Sequence, residues 1–261
     1  MVICAPIGGL NNRIRCLISA MRADEDIKLV WPYKNHTQWL WCKFSDLFDN
    51  PYEEFFYLEE CKLKYPNLDL YSDYKFIPLK NEIDINHFDK KYLDNWQEEI
   101  PKNLKNSYLK AAARLKPIKY IQDSVDNYKR LFDKDTISVS IRSFLDCDKN
   151  KNSMGQYFDI SRLFHILDNI KEKRFFITCD HQETFNKVLD RYGDRVLYTP
   201  KRTFFGDFQS TEGIQDSVID LYLGGLNDLL ISSMGSSYCE MQWWLGGGHA
   251  KTKVINLHTN Q

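Results

Sequence analysis

Apolar and polar residues follow one another with two different periods, and the start of the chain shows both. Residues 2–6 are a continuous apolar run, which predicts a buried strand, and two glycines follow it. Over residues 10–21 the apolar positions recur every three or four residues, as they do on one face of a helix. A second apolar run, residues 27–31, is ended by Pro32. The segment therefore predicts a strand, a glycine turn, a helix and a second strand.

The part of the chain between this unit and Pro117 has a weaker pattern. Apolar residues between Trp39 and Leu47 indicate a helix, and residues 53–57 indicate a strand. An aromatic and lysine-rich stretch without a clear period follows them. Residues 104–115 again have helical spacing, which Pro117 ends. The pattern does not fix the order of the strands in this half of the chain.

After Pro117, predicted strands and helices alternate regularly. The strands are short apolar runs at residues 136–141, 174–178, 196–198, 228–232 and 253–257. The helices are predicted over residues 118–132, 160–170, 182–192, 214–227 and 237–245. Such alternation is typical of an α/β fold, with a parallel sheet covered by helices on both faces. We divide the chain at Pro117 into an N-terminal lobe, residues 1–116, and a C-terminal lobe, residues 117–261.

Ligands of open parallel sheets bind beyond the carboxyl ends of the strands, so the residues that follow the predicted strands are the candidate site. The first strand is followed by Gly8, Gly9, Asn11, Asn12 and Arg13. The glycines let a ligand approach the backbone, the helix start offers free N–H groups, and the polar side chains add donors. The spacing matches neither a dinucleotide-binding GxGxxG motif nor a P-loop. A plain turn with solvated polar residues explains the same pattern.

Two later strand ends carry groups that suit an anion. Arg142 directly follows the strand at 136–141, where its planar guanidinium can bind a phosphate and stabilise a leaving group without a metal. A surface ion pair explains the same arginine. Ser236 and Ser237 lie between a strand and a helix, where hydroxyls and helix N–H groups favour an anion. Simple capping, with Glu240 completing a capping box, is compatible with that function.

Acidic residues offer two further interpretations. Asp216 and Asp220 share one face of the predicted helix 214–227, where they either accept hydrogen bonds from a nucleoside or form a solvated surface. Two D-x-D triplets, at residues 24–26 and 146–148, have the spacing of some divalent-metal sites but are common by chance in a charged chain. The six histidines lack zinc-site spacing. We therefore expect no bound metal.

The composition excludes several classes of function. The chain of 261 residues has 35 basic and 36 acidic side chains, and this balance disfavours broad electrostatic binding of nucleic acid. Its seven cysteines include no CxxC pair, so we expect reduced thiols and a reducing compartment. No apolar run approaches the ~20 residues that span a membrane, and no signal peptide precedes the first strand. We therefore expect a cytoplasmic protein, and the absence of a G-x-S-x-G elbow disfavours a serine hydrolase.

Taken together, the strand-end segments resemble motifs of the α1,2-, α1,6- and protein O-fucosyltransferase superfamily. Residues 8–15 are similar to its opening glycine-rich loop, and Arg142 after its strand resembles the arginine of the H-x-R motif. Residues 175–180 are similar to a strand that ends in a threonine–aspartate step, and residues 220–236 are similar to the third motif. The order and spacing of the four stretches over nearly the whole chain carry the resemblance.

The resemblance implies a GT-B-like fold, with two Rossmann-like lobes that face each other across a cleft. It implies an inverting, metal-independent glycosyltransferase without a cofactor, with GDP-fucose as donor and a glycan or another hydroxyl compound as acceptor. The C-terminal lobe then binds the nucleotide, and the N-terminal lobe supplies the glycine turn and most of the acceptor site. Arg142 would stabilise the departing diphosphate, Asp220 would contact the nucleoside, and Ser236, with Ser237 beside it, would contact phosphate. Asp180 would belong to the donor site as well.

The sequence also departs from the family pattern. Ser140 stands where the family has the histidine of the H-x-R motif, and the acidic residue after the arginine is displaced, with Asp146 the nearest. Asp146, Asp148 and Glu240 are the candidates for a general base. Two alternatives stay open at this point, a different GDP- or UDP-sugar as donor and a non-catalytic relative that binds nucleotides or glycans. The oligomeric state is not fixed by the sequence.

Overall fold

The computed structural model describes residues 1–33, 40–82, 94–143 and 157–259 of the chain. The strands are β1 Val2–Cys4, β2 Ile27–Val30, β3 Glu53–Phe55, β4 Asp69–Tyr71, β5 Thr136–Ile141, β6 Tyr157–Phe158, β7 Arg174–Cys179, β8 Val196–Leu197, β9 Leu229–Ser233, β10 Lys251–Ile255 and β11 His258–Thr259. The α-helices are α1 Leu10–Ala23, α2 Leu58–Lys64, α3 Lys102–Ala112, α4 Lys119–Tyr128, α5 Ser161–Asp168, α6 Gln182–Tyr192, α7 Thr211–Gly224 and α8 Ser237–Leu245.

The first sheet lies entirely before Pro117. Its strands are parallel, in the order β3-β2-β1-β4, and the apolar residues of β1 and β2 are buried. Helix α1 connects β1 to β2, so β1, the glycine turn, α1 and β2 form the unit that the sequence predicts. Since the strands are parallel, the residues after β1, β2, β3 and β4 all lie at one edge of this sheet.

The second sheet lies after Pro117 and is also parallel, in the order β10-β9-β5-β7-β8. Its central strand β5 is buried along its whole length. Residues at alternate positions of β5 face opposite sides. Ile137 and Val139 pack with apolar residues of α5 and α6. Ser138 faces the other side, where Asn227 Nδ2 donates to its hydroxyl over 2.8 Å. Helices therefore cover both faces of the sheet, and the predicted α/β class is confirmed.

One continuous apolar cluster joins helices from both halves of the chain. The rings of Trp96 and Trp243 lie 5.2 Å apart, and Trp244 lies 5.5 Å from Phe76 and 5.6 Å from Tyr108. All five side chains are at least nine-tenths buried. Helix α8, which belongs to the second sheet by sequence, thus packs on residues that belong to the first. The two sheets share this layer, so they are fixed relative to each other.

Helix α8 also crosses the end of α7 at backbone contact. A Cβ atom on Gly225 would lie 2.0 Å from the carbonyl oxygen of Gln242, and one on Gly246 would lie 2.1 Å from that of Gly225. Only glycine fits at these two positions, since real Cβ atoms do not approach other atoms so closely. The crossing fixes the carboxyl end of α8 against that of α7.

The helix predicted between Trp39 and Leu47 is wrong as far as the structure describes it. Trp39 itself lies outside the described residues, and the rest contains only a short 3₁₀ turn, Phe44–Asp46. The apolar side chains are buried through aromatic contacts instead, since the Phe44 ring lies 5.3 Å from that of Trp31. These residues are apolar because the loop that contains them is buried, so their spacing does not indicate a helix.

The pattern of apolar residues also did not predict several short elements. Strand β4, helix α2 and the antiparallel pair β6–β11 are two to seven residues long, and such lengths carry too few positions to show a period. The strand over residues 53–57 is confirmed, with β3 as its core. Among the described residues, no helix has the length and apolar character that crossing a membrane requires.

Candidate functional site

The segment after β5 is held in place through its backbone. The amide of Arg142 donates to Ser233 Oγ over 2.8 Å, and Ser233 Oγ donates in turn to the carbonyl of Ser140 over 2.9 Å. The carbonyl of Arg142 lies 3.1 Å from Nε2 of His258, and burial lowers the pKa of that imidazole. Strand β9 and the segment around β11 therefore fix where β5 ends, independently of the Arg142 side chain.

Asp180, at the end of the neighbouring strand β7, orients the Arg142 side chain. Arg142 Nη1 donates to Asp180 Oδ2 over 2.6 Å. Asp180 Oδ1 accepts from the amide and the hydroxyl of Ser143, over 2.8 and 2.7 Å. The Arg142 side chain nevertheless keeps 38% of its surface exposed. The carboxylate thus holds a guanidinium that a ligand at the carboxyl edge of the sheet can reach.

The serine turn lies at the same edge as Arg142. Strands β5 and β9 are direct neighbours, and parallel neighbours lie about 4.8 Å apart. After β9, Gly235 adopts a positive φ of 73°, and the Ser236 hydroxyl accepts from the amide of Cys239 over 3.4 Å. Ser236 therefore caps α8, and the half-buried Ser237 is its first residue. The structure brings Arg142 and this helix start together, as the sequence predicts.

Asp220 lies inside α7 and is held by two side chains that the sequence did not suggest. Lys201 Nζ is 2.5 Å from Asp220 Oδ2, and the Thr199 hydroxyl donates to Asp220 Oδ1. Burial raises the pKa of Asp220, and the positive charge of Lys201 opposes that shift. Asp216, one turn earlier, accepts from Arg202 Nε over 2.8 Å. Neither aspartate therefore forms a solvated helix face.

Tyr238 connects the surroundings of Asp220 with those of Arg142. Its hydroxyl donates to the carbonyl of Ser217 in α7 over 2.9 Å. Burial raises the pKa of its phenol well above the usual range, with Asp220 adding to the shift and Arg142 opposing it. Both charged groups therefore lie within electrostatic reach of one side chain.

The glycine turn is shaped by Arg13 from within the protein. Gly8 has a φ of +83°, and Arg13 Nε donates to its carbonyl over 2.8 Å. Arg13 Nη1 donates to the carbonyl of Pro32 over 2.6 Å, and its guanidinium lies 5.1 Å from the Trp31 ring. Burial lowers the pKa of Arg13 to about 10. Arg13 thus supports the turn, and what a ligand meets there is the backbone of Gly8 and Gly9.

The two asparagines after the glycines differ in their contacts. Asn12 Oδ1 accepts from Arg15 Nη1 over 3.5 Å. Asn11 Oδ1 is buried and has no hydrogen-bond partner among the described residues. A buried acceptor of this kind usually has a partner, so Asn11 is the polar side chain of the turn with an unused acceptor atom.

Helices α1 and α8 run side by side, and both begin near the candidate site. Arg15, in the second turn of α1, lies 3.3 Å from Glu240, in the first turn of α8. Arg22, in the last turn of α1, lies over the ring of Tyr108, which packs on Trp244 in the last turn of α8. The order of these contacts shows that the two helices run in the same sense. The glycine turn and the serine turn therefore lie on the same side of the molecule.

The remaining predicted residues fall elsewhere. Ser140 is buried within the sheet, where its hydroxyl accepts from Thr178 Oγ1 over 3.1 Å. Glu240 has no exposed surface and pairs with Arg15, so it does not complete a capping box with Ser236. Asp146 and Asp148 lie outside the described residues.

The first D-x-D triplet, residues 24–26, follows α1 and precedes β2, so it lies at the opposite edge of the first sheet from the glycine turn. Its Asp24 binds the N-terminal ammonium group of Met1, and its Asp26 pairs with Lys28 over 3.0 Å. Among the described residues, no group of three or more histidine, cysteine or acidic side chains has a metal-binding arrangement. Six cysteines lie within the described residues, and all six are free thiols.

The sequence analysis did not include the segment after β8 in the candidate site. Residues 199–202 follow β8 at the same edge as Arg142, and they supply Thr199, Lys201 and Arg202 to the aspartates of α7. The apolar run at 196–198 predicted this strand, so the rule that ligands bind beyond strand ends applied here as well. Ser143 and Ser233 were missed because their roles depend on contacts between strands.

Replacing Asp180 should weaken any function that needs Arg142. We expect Asp180→Asn to lower turnover about tenfold, because the guanidinium loses a charged hydrogen bond that orients it. The melting temperature should change little, since the ion pair is partly exposed. Asp168→Asn is the control, because it removes the partner of Arg191 in a surface ion pair of the same lobe, 2.7 Å long. Equal turnover in the two variants would exclude a positioning role for Asp180.

Comparison with solved structures shows that the fold of this chain recurs in other proteins. The chain is similar to NodZ alpha-1,6-fucosyltransferase soaked with GDP-fucose, with a TM-score of 0.56, 14% identity, and 94% of this chain and 92% of that chain covered. It is similar to fucosyltransferase NodZ from Bradyrhizobium, with a TM-score of 0.53, 11% identity and 92% of each chain covered. A mutant of Arabidopsis thaliana FUT1 in complex with GDP matches with a TM-score of 0.53 and 11% identity, over 97% of this chain and 69% of that chain.

At these identities the likeness concerns the fold. The two parallel α/β sheets of the chain have the GT-B arrangement of these fucosyltransferases over nearly the full length of this chain, so the predicted fold and its resemblance to that group are confirmed at the level of the fold. No protein-family model matches the sequence, and no curated protein matches it.

Proposed function

We propose that the chain is a glycosyltransferase that transfers fucose from GDP-fucose to a hydroxyl group of a glycan or another acceptor. The observation that carries the proposal is the exposed guanidinium of Arg142, oriented by Asp180, beside the capped start of α8 at Ser236. A cation and the free N–H groups of a helix start suit a diphosphate. The ligands of the structural neighbours, the nucleotide sugar GDP-fucose and the nucleotide GDP, support the choice of donor.

The proposed reaction breaks the bond between the anomeric carbon and the diphosphate. Negative charge develops on the leaving oxygen, and Arg142 stabilises it without a metal ion. The N–H groups of α8 and the hydroxyls at Ser236 and Ser237 add neutral donors to the diphosphate. The acceptor oxygen forms the new bond from the opposite face, which inverts the anomeric centre, and the acceptor proton passes to a general base.

In this proposal the glycine turn meets the sugar side of the donor. The backbone of Gly8 and Gly9 and the acceptor atom of Asn11 lie on the same side of the molecule as Ser236. The acceptor then binds along the carboxyl edge of the first sheet. There the Phe56 ring lies 5.0 Å from that of Tyr33, and the two rings are nearly perpendicular. An aromatic surface of this kind suits the apolar face of a sugar ring.

Of the three candidates for the general base, the structure argues against one. Glu240 has no exposed surface and an ion pair with Arg15, so it does not meet an acceptor hydroxyl in this structure. Asp146 and Asp148, which follow Arg142 in the sequence, remain the proposed candidates for the general base. Exchange of each for asparagine, followed by measurement of turnover against pH, distinguishes them, since loss of the true base removes the ionisation from the profile.

The test of the donor is a thermal-shift panel of nucleotide sugars, with and without EDTA. A ligand that binds only the folded state raises the melting temperature, and at one ligand concentration the shift is larger for a tighter ligand. We expect GDP and GDP-fucose to give the largest shifts and UDP-sugars small ones, and EDTA to change neither. A larger shift with another GDP- or UDP-sugar would identify that compound as the donor in place of GDP-fucose. Loss of the shift in EDTA would exclude metal-independent binding.

A binding shift alone does not establish catalysis. Slow release of GDP and free fucose during incubation with GDP-fucose is the expected accompanying result, because water replaces the acceptor. Binding of GDP-fucose without release of GDP, with or without a panel of acceptor glycans, would identify a non-catalytic binding protein. No nucleotide binding at all would reject the proposal.

A further inference from the structure

Lys201 holds a position in the site that neither the sequence motifs nor the resemblance assigned. Its Nζ donates to Asp220 Oδ2 over 2.5 Å and to Thr199 Oγ1 over 2.8 Å. An ammonium group carries three N–H donors. Two of them are used within the described residues, so one remains for another acceptor.

A ligand at this edge of the sheet meets Lys201 before Asp220. The side chain of Asp220 is 5% exposed, and both of its oxygens are occupied, by Lys201 and by Thr199. The Lys201 side chain is 10% exposed. The carboxylate therefore lies beneath the ammonium group and balances its charge, so direct contact between Asp220 and a ligand is the less accessible arrangement.

The surroundings of Lys201 continue the diphosphate site at Arg142. Lys201 follows β8, and the carboxyl end of β8 lies at the same sheet edge as that of β5. The segment after Lys201 contacts the end of β7, since a Cβ atom on Gly206 would lie 2.4 Å from the carbonyl oxygen of Asp180, the partner of Arg142. The Lys201 ammonium lies 6.0 Å from the ring of Phe205, and Phe204 beside it is one of the most exposed aromatic side chains in the described chain. A cation with an N–H donor to spare and aromatic side chains beside it suit a nucleoside, which offers acceptor atoms and a flat base.

We propose that Lys201 recognises the nucleoside of the donor, with its ammonium group donating a hydrogen bond to an acceptor atom of the base or the ribose. Asp220 acts beneath it as the counter-charge. The inference rests on the proposed function, since it names a residue of the same nucleotide site. It replaces the direct nucleoside contact of Asp220 that the resemblance implies.

The chain offers a matched control in the same loop. Arg202, the next residue, pairs with Asp216 one turn before Asp220. Its Nη2 donates to the carbonyl of Glu212 and to Gln215, and its guanidinium lies 4.6 Å from the ring of Tyr120. Arg202→Met therefore removes a comparable ion pair from α7 without removing a donor from the proposed nucleoside site.

The experiment compares two probes, GDP and inorganic pyrophosphate, in titrations of the purified protein. We expect Lys201→Met to weaken GDP binding about ten- to a hundredfold, as for one lost hydrogen bond to a charged donor, and to leave pyrophosphate binding within about twofold. Arg202→Met should leave both affinities unchanged. Arg142→Ala should weaken both, because both probes carry the diphosphate.

Equal losses of GDP and pyrophosphate binding in Lys201→Met, or unchanged GDP binding, would overturn the role of Lys201. Since Lys201→Met leaves a buried carboxylate unpaired, Lys201→Met combined with Asp220→Asn provides a second variant without that charge, for which the same pattern is expected. Failure of the unaltered protein to bind GDP would reject the proposed function itself, which separates the two conclusions.

Discussion

Arg142→Ala should reduce turnover of the donor by about 10²- to 10³-fold, the cost of removing one donor that stabilises a developing negative charge. This corresponds to about 3–4 kcal/mol in the barrier. Arg142 follows β5, whose neighbour β9 leads into the start of α8, and 38% of its side-chain surface is exposed. Donor hydrolysis or transfer, measured at saturating GDP-fucose, provides the rate.

The variant should retain its fold. The amide of Arg142 binds Ser233 and its carbonyl binds His258, and neither bond involves the side chain. Arg174→Ala is the matched control, because Arg174 is also 38% exposed and pairs with an aspartate, Asp133. It lies on the neighbouring strand β7, at the amino end. We expect the two variants to melt at similar temperatures and only Arg142→Ala to lose activity.

Arg142→Lys refines this test. Lysine keeps the charge but replaces a planar fork with a single ammonium group, so geometry and charge are separated. We expect turnover well below that of the unaltered protein, with some recovery over alanine. Near-normal turnover in Arg142→Ala would remove Arg142 from the mechanism and leave the α8 start as the only diphosphate contact among those proposed.

The sequence predicted best where elements are long and buried. Strand β5 and helices α6 and α8 have the predicted bounds, at residues 136–141, 182–192 and 237–245. Strand β5 alternates small polar and apolar residues over its whole length, and α6 has apolar residues at helical spacing. The prediction of a helix between Trp39 and Leu47 failed because the apolar side chains there are buried by loops and aromatic contacts, as at Phe44.

The candidate site was predictable as a set of strand ends. Arg142 and Ser236 follow adjacent strands, and parallel topology alone places them at one edge. The hydrogen-bond partners were not predictable, because they depend on which strands are neighbours and on side-chain direction. Asp180 holds Arg142 only because β7 pairs with β5, and Lys201 reaches Asp220 only because β8 lies at the edge beyond β7.

The pairing of Arg15 with Glu240 could not be predicted from the sequence, because it too depends on which elements are neighbours in the fold. The two residues are 225 positions apart, and each alone is compatible with an exposed helix surface or with a catalytic role. Their side chains are 2% and 0% exposed, and they join α1 of the first half of the chain to α8 of the second. A buried ion pair between the halves gives Glu240 a structural function that a base would not have.

Breaking this pair should destabilise the protein strongly. We expect Glu240→Gln and Arg15→Met each to lower the free energy of unfolding by about 3–5 kcal/mol, because each leaves an uncompensated charge or donor in the interior. The double variant should lose less than the sum of the two, since neither charge then remains buried alone. Chemical denaturation of the four proteins measures the coupling directly. Asp123→Asn, which breaks the exposed pair with Lys119, is the control and should cost less than about 1 kcal/mol.

The same variants decide between the two roles of Glu240. A carboxylate that only holds α1 against α8 affects turnover through stability, so Glu240→Gln, assayed well below its melting temperature, should keep turnover far above that of Arg142→Ala. A general base gives the reverse result, with normal stability and a turnover that loses its dependence on one ionisation. Because Glu240 has no exposed surface next to Arg15, the first result is the one that the geometry predicts.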